Sequence, residues 1–173
     1  MGMAAAAASA IWHNKTCHVA GIETTRTTAV AMSGTADIVR ALGGPRLVPA
    51  RSPGQLRALV RAGLPYAALS AVVAGFRLGA AETGTVLRIP ERTLARRRKE
   101  KRLSAEESDR LVRLARIAAL AEETLGGREK AARWLTSENR ALGGRTPISE
   151  LDTDLGAEEV EAALQRLSHG IVG

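Results

Sequence analysis

Residues 78–107 read LGAAETGTVLRIPERTLARRRKEKRLSAEE, and this stretch divides into helix, turn and helix. Leu78 to Leu87 has the pattern of a helix of about two and a half turns, although Gly79 and Gly84 each cost roughly 1 kcal/mol if interior. Arg88-Ile89 is the turn. Pro90 suits the first position of a new helix, where its missing N–H leaves nothing unpaired. That second helix runs to about Glu100 and carries Arg92, Arg96, Arg97, Arg98 and Lys99, with Lys101 and Arg102 just beyond; Leu94 is its one large apolar residue. Anchored by Ile89 and Leu94, it must present its arginines to solvent or to a partner. Helix, tight turn and basic helix outline a helix-turn-helix reader whose second element enters the major groove. Arg92, Arg96 and Lys99 recur at i, i+4 and i+7 and form one cationic stripe. The planar guanidinium forks, those of Arg96 and Arg97 included, suit guanine edges or phosphates, and Thr93 adds a phosphate or thymine contact. These five residues are the DNA-binding candidates. A solvated basic helix, or a nuclear-import or heparin patch, is the competing reading.

Downstream, Ser104-Ala105-Glu106-Glu107 is a capping box, with Ser at the N-cap and Glu at N3, and opens the longest helix. Leu111, Leu114, Ala118, Ala121 and Leu125 run down one face while Val112, Ile117 and Leu120 widen it. A band that broad makes this helix a spine packing on several neighbours, with a dimer seam as the alternative. Gly126-Gly127 ends it. A helix around Arg128 to Thr136 follows, with Ala131, Trp134 and Leu135 facing inward; Trp134 reads as core, with a binding hot spot as the other possibility. Thr146-Pro147 starts a single turn through Leu151. Gly156 precedes a last helix, Ala157 to His169, whose core face is Val160, Leu164 and Leu167. The apolar ending Ile171-Val172-Gly173 is a frayed end or a plug for a partner's pocket.

Upstream, the alanine run Ala4 to Ala8 and the threonine-rich Thr24 to Thr28 lack apolar periodicity, so residues 1–35 read as an unpacked tail, with Met32 as an alternative start. No basic segment precedes the alanines, which argues against a signal peptide. From Thr35 the pattern changes, and Ile38, Val39 and Leu42 mark a short helix stopped by Gly43-Gly44-Pro45. Pro49 and Pro53 mark an extended connection. A helix from Gln55 to Ala62 is closed by Gly63, and Pro65 suits the first turn of another helix that buries Leu69, Val72, Val73 and Phe76.

The whole chain has 173 residues, enough for one domain or two small ones with a real core. Its only aromatic residues are Trp12, Tyr66, Phe76 and Trp134, too few for a platform on which single-stranded bases stack. One cysteine excludes an internal disulfide framework and points to a reducing, cytoplasmic setting. No stretch approaches the roughly 20 apolar residues that span a bilayer. Residues 1–103 hold 16 Lys+Arg against 5 Asp+Glu, a net of +11, whereas residues 104–173 hold 9 against 13, a net of −4. A basic half joined to an acidic half suggests a polyanion partner for the first and a different task for the second. Catalysis finds no footing. His13, His18 and His169 are not spaced with a Ser or Cys as a dyad, and the Gly-Gly pairs at 43, 126 and 143 follow helices rather than strands. His13, Cys17 and His18 lack a fourth ligand for a closed zinc site. The reading is a non-enzyme with no cofactor and no metal.

The run Leu87-Arg88-Ile89-Pro90-Glu91-Arg92-Thr93-Leu94-Ala95-Arg96-Arg97, with Arg102-Leu103-Ser104-Ala105-Glu106-Glu107-Ser108-Asp109-Arg110, resembles the helix-turn-helix of Xre/MbcA/ParS-type antitoxins. The later run Ala131-Ala132-Arg133-Trp134-Leu135, Asn139, Ala141-Leu142-Gly143-Gly144, Thr146-Pro147 and the segment Gly156 to Gly170 is similar to the toxin-binding domain of the same family. The resemblance implies an antitoxin of a type II toxin–antitoxin system that covers the active site of a RES-domain toxin, a protein that consumes NAD or uses it to ADP-ribosylate a target. It also implies binding to operon DNA as an autorepressor. Carried onto this sequence, it sets the last helix and tail at the toxin's active-site mouth, through Leu164, Leu167, Ser168, His169, Gly170, Ile171, Val172 and Gly173. Arg140 and Arg145 pair with acidic groups nearby.

The expected architecture is therefore all-α, with a helix-turn-helix domain over 36–103 and a small helical toxin-binding domain over 104–173, working as a homodimer within a larger toxin–antitoxin complex. The runner-up is a helix-turn-helix transcriptional regulator whose acidic half binds a ligand or another protein. A structural oligomeriser that never touches DNA is the third class.

Overall fold

The computed structural model describes residues 34–170. The expectations for the tail before Gly34, including His13, Cys17 and His18, and for Ile171, Val172 and Gly173 lie outside the described residues. Among the described residues, eight α-helices follow one another: α1 Thr35–Ala41, α2 Pro53–Ala62, α3 Tyr66–Gly75, α4 Ala80–Leu87, α5 Glu91–Glu100, α6 Ala105–Leu125, α7 Arg128–Thr136 and α8 Asp154–Ser168, with 3-10 turns at Arg140–Leu142 and Pro147–Asp152 between the last two. The described residues contain no strand beyond a single bridge between Pro65 and Arg102, so the fold is all-α.

Several helix starts differ from the sequence reading, and each difference has a cap behind it. The α2 helix begins at Pro53, not Gln55, because the Ser52 side chain accepts from the Gln55 N–H at 3.3 Å, which makes Pro53 the first helical residue instead of part of the connection. The α4 helix begins at Ala80, not Leu78. Gly79 is its N-cap and so carries no interior penalty, while Leu78 is buried in the connection. Pro65 and Pro90 are likewise N-caps of α3 and α5. The α8 helix begins three residues early, at Asp154, because Thr153 Oγ1 accepts from Gly156 N at 3.1 Å. Gly156 thus lies inside the first turn of α8, buried, where a Cβ would strike the Glu150 carbonyl; the missing side chain lets α8 cross the 3-10 turn before it.

The α6 helix is the centre of the molecule. It packs against α1, α2 and α4 and also against α7, α8 and the turn Pro147–Asp152. Leu111, Leu114, Ile117, Ala118 and Ala121 are buried within the chain, so its broad apolar band is a spine and the dimer-seam alternative falls. Its Leu and Ile side chains each contribute about 1.5–3 kcal/mol by leaving water, and Ala115, Ala118, Ala119 and Ala121 leave room for close helix approach. One contiguous core runs from Ile38 to Leu164, across the boundary expected at 103/104. The α1 helix belongs to it through Ile38, Val39 and Ala41. Trp134 is half-buried against the same core.

Candidate functional site

The turn between α4 and α5 is closed by its own backbone. Arg88 takes the left-handed conformation (φ 51°, ψ 41°), its N–H reaches Thr85 O, and Ile89 N reaches Gly84 O, both at 3.1 Å. From α6, Arg110 Nη1 donates to Leu87 O at 3.0 Å. Ile89 is buried and directs the chain into α5.

No residue of α5 is fully buried, and Leu94 is only half so. The helix is held from its ends and by an ion pair to α6. Behind it, Leu103 is buried, and a strap fixes the end of α5 to the α2–α3 connection. Tyr66 N donates to Lys101 O at 3.0 Å, Leu103 N to Leu64 O at 2.9 Å and Arg102 Nε to Gly63 O at 3.1 Å. Buried Ser108 locks the same junction from α6, accepting from Leu64 N at 2.8 Å and donating to Ser104 O at 2.6 Å.

The ion pair is Arg97 with Glu107. Arg97 Nε lies 2.9 and 2.8 Å from the two Glu107 oxygens, and Nη1 lies 2.8 Å from Glu100 Oε2. The carboxylates of Glu100 and Glu107 push the Arg97 pKa above the ordinary arginine value, so this guanidinium stays charged. Its side chain is 19% exposed and that of Glu107 8%. Of the five DNA-binding candidates, then, Arg92, Arg96 and Lys99 are exposed on α5, Arg96 with only a long, solvent-exposed contact of 3.6 Å to Glu100, and Thr93 is half-exposed, lining a groove with Arg88, Arg96 and Arg110. Arg97 is corrected from a phosphate contact to the anchor of α5, because two carboxylates already occupy it. Glu107 also accepts from Ser104 N at 2.7 Å, so it caps α6 and holds α5 at once. Glu107→Gln is expected to cost about 2 kcal/mol, the scale of a charge-assisted hydrogen bond. Urea unfolding reads this, and an unchanged midpoint contradicts the anchoring role.

In the acidic half, the expected contact residues separate by burial. Leu164 is fully buried and is corrected from a partner contact to a core residue. Leu167 is half-buried, and Ser168, His169 and Gly170 are exposed at the end of α8. Arg145 is held within the chain by Glu150 at 2.7 Å and Glu159 at 3.7 Å, whereas Arg140 is exposed and has no carboxylate within 4.0 Å among the described residues. Lys130, Arg133 and Arg166 share that state, and sequence reasoning missed them. They look no different in sequence from Arg113, Arg116 and Arg128, which pair with Asp154, Glu161 and Glu122. Leu155, at the start of α8, is 74% exposed.

The two surfaces are tied together. Arg88 Nη2, in the turn before α5, lies 3.1 Å from Asp152 Oδ2, and the turn Pro147–Asp152 packs on both α4 and α8.

Two family models match this chain. The Xre-like helix-turn-helix domain of antitoxins matches residues 55–116, and the C-terminal toxin-binding domain of Xre/MbcA/ParS antitoxins matches residues 120–170. The junction between them falls inside α6. Among curated proteins, the chain is 33% identical over 126 residues to Antitoxin Xre of Photorhabdus laumondii, covering 72% of this chain and 85% of that protein. It is 41% identical over 85 residues to Antitoxin Xre of Yersinia enterocolitica, 48% of this chain and 57% of that protein. With Antitoxin Xre of Pseudomonas putida it shares 41% over 83 residues, 47% and 52%. The match thus spans about half the length of the Yersinia and Pseudomonas proteins. With both domains in order and two thirds of its length aligned to a relative, this chain belongs to the Xre antitoxin family.

Proposed function

We propose that this chain is the antitoxin of a type II toxin–antitoxin pair. In this reading α5 grips operon DNA through Arg92, Thr93, Arg96 and Lys99 and represses its own operon. The end of α8, from Leu167 onward, covers the active site of a RES-domain toxin that consumes NAD or transfers ADP-ribose. Arg140, and with it Lys130, Arg133 and Arg166, supplies cations for acidic groups at that interface. The work is occlusion and repression, without catalysis or cofactor, by a homodimer in the cytoplasm. The observation that carries this reading is the matching of a DNA-reading domain and a toxin-binding domain, in that order, to one contiguous core. The RES-domain partner and its NAD chemistry rest on the resemblance in sequence.

The test is coexpression with the product of the adjacent gene in cells whose NAD is measured. NAD preserved and the two proteins copurifying is the expected result. DNA binding with no effect on a neighbouring toxin favours a helix-turn-helix regulator with some other partner.

The Arg88–Asp152 pair makes a separate expectation. Both groups are partly exposed, at 58% and 28%, so the pair itself is weak, but it keeps Arg88 from turning to the duplex beside α5. Asp152→Asn is expected to tighten DNA binding severalfold and to steepen its salt dependence by about 0.9, one phosphate contact. An unchanged salt slope would mean that Arg88, once freed, makes no phosphate contact.

A further inference from the structure

The stretch from Ile38 to Ala81 contains no acidic residue and six arginines, at 40, 46, 51, 57, 61 and 77. Two of these are neutralised, Arg40 by Asp37 at 3.0 Å and Arg77 by Glu129 at 3.6 Å. Arg46, Arg51, Arg57 and Arg61 are exposed, and none has a carboxylate within 4.0 Å among the described residues. The acidic half also has exposed cations without such a partner, Lys130, Arg133, Arg140 and Arg166, but there they stand among 13 carboxylates, whereas the stretch from Ile38 to Ala81 has none. Arg57 and Arg61 stand at i, i+4 on α2, opposite buried Leu56 and half-buried Leu59 and Val60. The helix macrodipole accounts for Arg61, in the last turn, but not for Arg57, Arg51 or Arg46.

The place of this surface matters as much as its charge. The C-terminal end of α2 is strapped to the C-terminal end of α5 by the bonds from Leu103 to Leu64 and from Arg102 to Gly63, with Arg102 Cγ 3.4 Å from where a Gly63 Cβ would stand. The strap therefore sets Lys101 and Arg102, at the end of α5, beside the end of α2 that carries Arg61, with Arg57 one turn earlier. The α2 helix spans about 15 Å, so the cationic surface reaches well beyond the recognition helix.

We propose that Arg46, Arg51, Arg57 and Arg61 form a second phosphate-binding surface that grips duplex DNA flanking the stretch read by α5. The proposal rests on the DNA-binding reading above and extends it beyond α4, the turn and α5, to Arg57 and Arg61 within the matched stretch 55–116 and to Arg46 and Arg51 before it. Four unpaired guanidinium groups form bidentate bonds to phosphate and add affinity without sequence preference.

The experiment measures binding of the full chain to a 40-bp and a 14-bp duplex of mixed sequence across a salt titration. Arg57→Ala with Arg61→Ala is expected to lower the salt slope on the 40-bp duplex by about 2 and to weaken binding about tenfold at moderate salt, with little change on the 14-bp duplex. Arg46→Ala with Arg51→Ala is expected to act in the same direction, and Arg57→Lys with Arg61→Lys to restore the slope. These side chains are exposed and unpartnered, so circular dichroism melts of the variants should match the parent. Wild-type slopes in both alanine pairs, with binding lost in Arg92→Ala with Arg96→Ala, overturn the second surface and leave DNA reading by α5 intact. Loss of toxin copurification without loss of DNA binding assigns the surface to the toxin and equally overturns the proposal. A parent chain that binds neither duplex at low salt removes the DNA-binding reading itself.

Discussion

Replacing Gly63 with alanine is expected to cost about 3 kcal/mol or more, and to loosen α5 as it does so. Gly63 has φ +89° and ψ 127°, a backbone state in which an L side chain is strained by roughly 1–3 kcal/mol. A Cβ there would also strike the Leu103 carbonyl, which cannot swing aside because Leu103 N is bonded to Leu64 O. Relief therefore requires opening the strap that fixes the end of α5, and overpacking of this kind adds about 1–3 kcal/mol. Urea unfolding measures the loss. At temperatures where the variant is still folded, DNA binding should fall further than the unfolded fraction explains. A midpoint within about 0.5 kcal/mol of the parent would mean that the strap gives way without cost.

Removing Ser168 to Gly173 is expected to release the toxin, with cellular NAD in the coexpression assay falling to the level seen with toxin alone. The cut matters. Leu164 is fully buried, and a truncation that took it away would remove core contacts worth about 2–5 kcal/mol, confusing unfolding with lost recognition. Ser168, His169 and Gly170 are exposed, so the shorter deletion leaves the core of α8 in place, and DNA binding and the melting temperature should stay near the parent's. Preserved NAD alongside preserved folding would exclude the end of α8 from toxin inhibition.

Much of this architecture is legible in the sequence because its punctuation is strong. The Ser104 capping box and the Gly-Gly pairs at 43, 126 and 143 put element boundaries where the structure has them, and Pro90 is one residue from its expected place. The larger shifts came at caps too weak to stand out, Ser52 before a proline, Gly79 before Ala-Ala and Thr153 before Asp-Leu-Gly. Side-chain roles were harder. Arg96, Arg97 and Arg98 are alike in sequence, yet α5 turns Arg97 toward a carboxylate on α6. The i, i+10 spacing of Arg97 and Glu107 crosses a turn, and no helical period reveals it. Leu164 carried both a core reading, from its spacing with Val160, and a contact reading, from the family resemblance; burial decides for the core. The expected boundary at 103/104 follows the shift from basic to acidic composition, whereas the packing makes α6 common to both halves.

In the proposed function, one contiguous core built on α6 joins a DNA grip to a toxin-binding lobe. The most direct test of that joining is capture of the adjacent gene's product on an immobilised duplex carrying the operon's promoter, with and without this chain. The account predicts toxin retained on the duplex only when the chain is present, and released as salt rises or when Arg92 and Arg96 are replaced by alanine. Toxin that flows through in the presence of folded, full-length chain would contradict it.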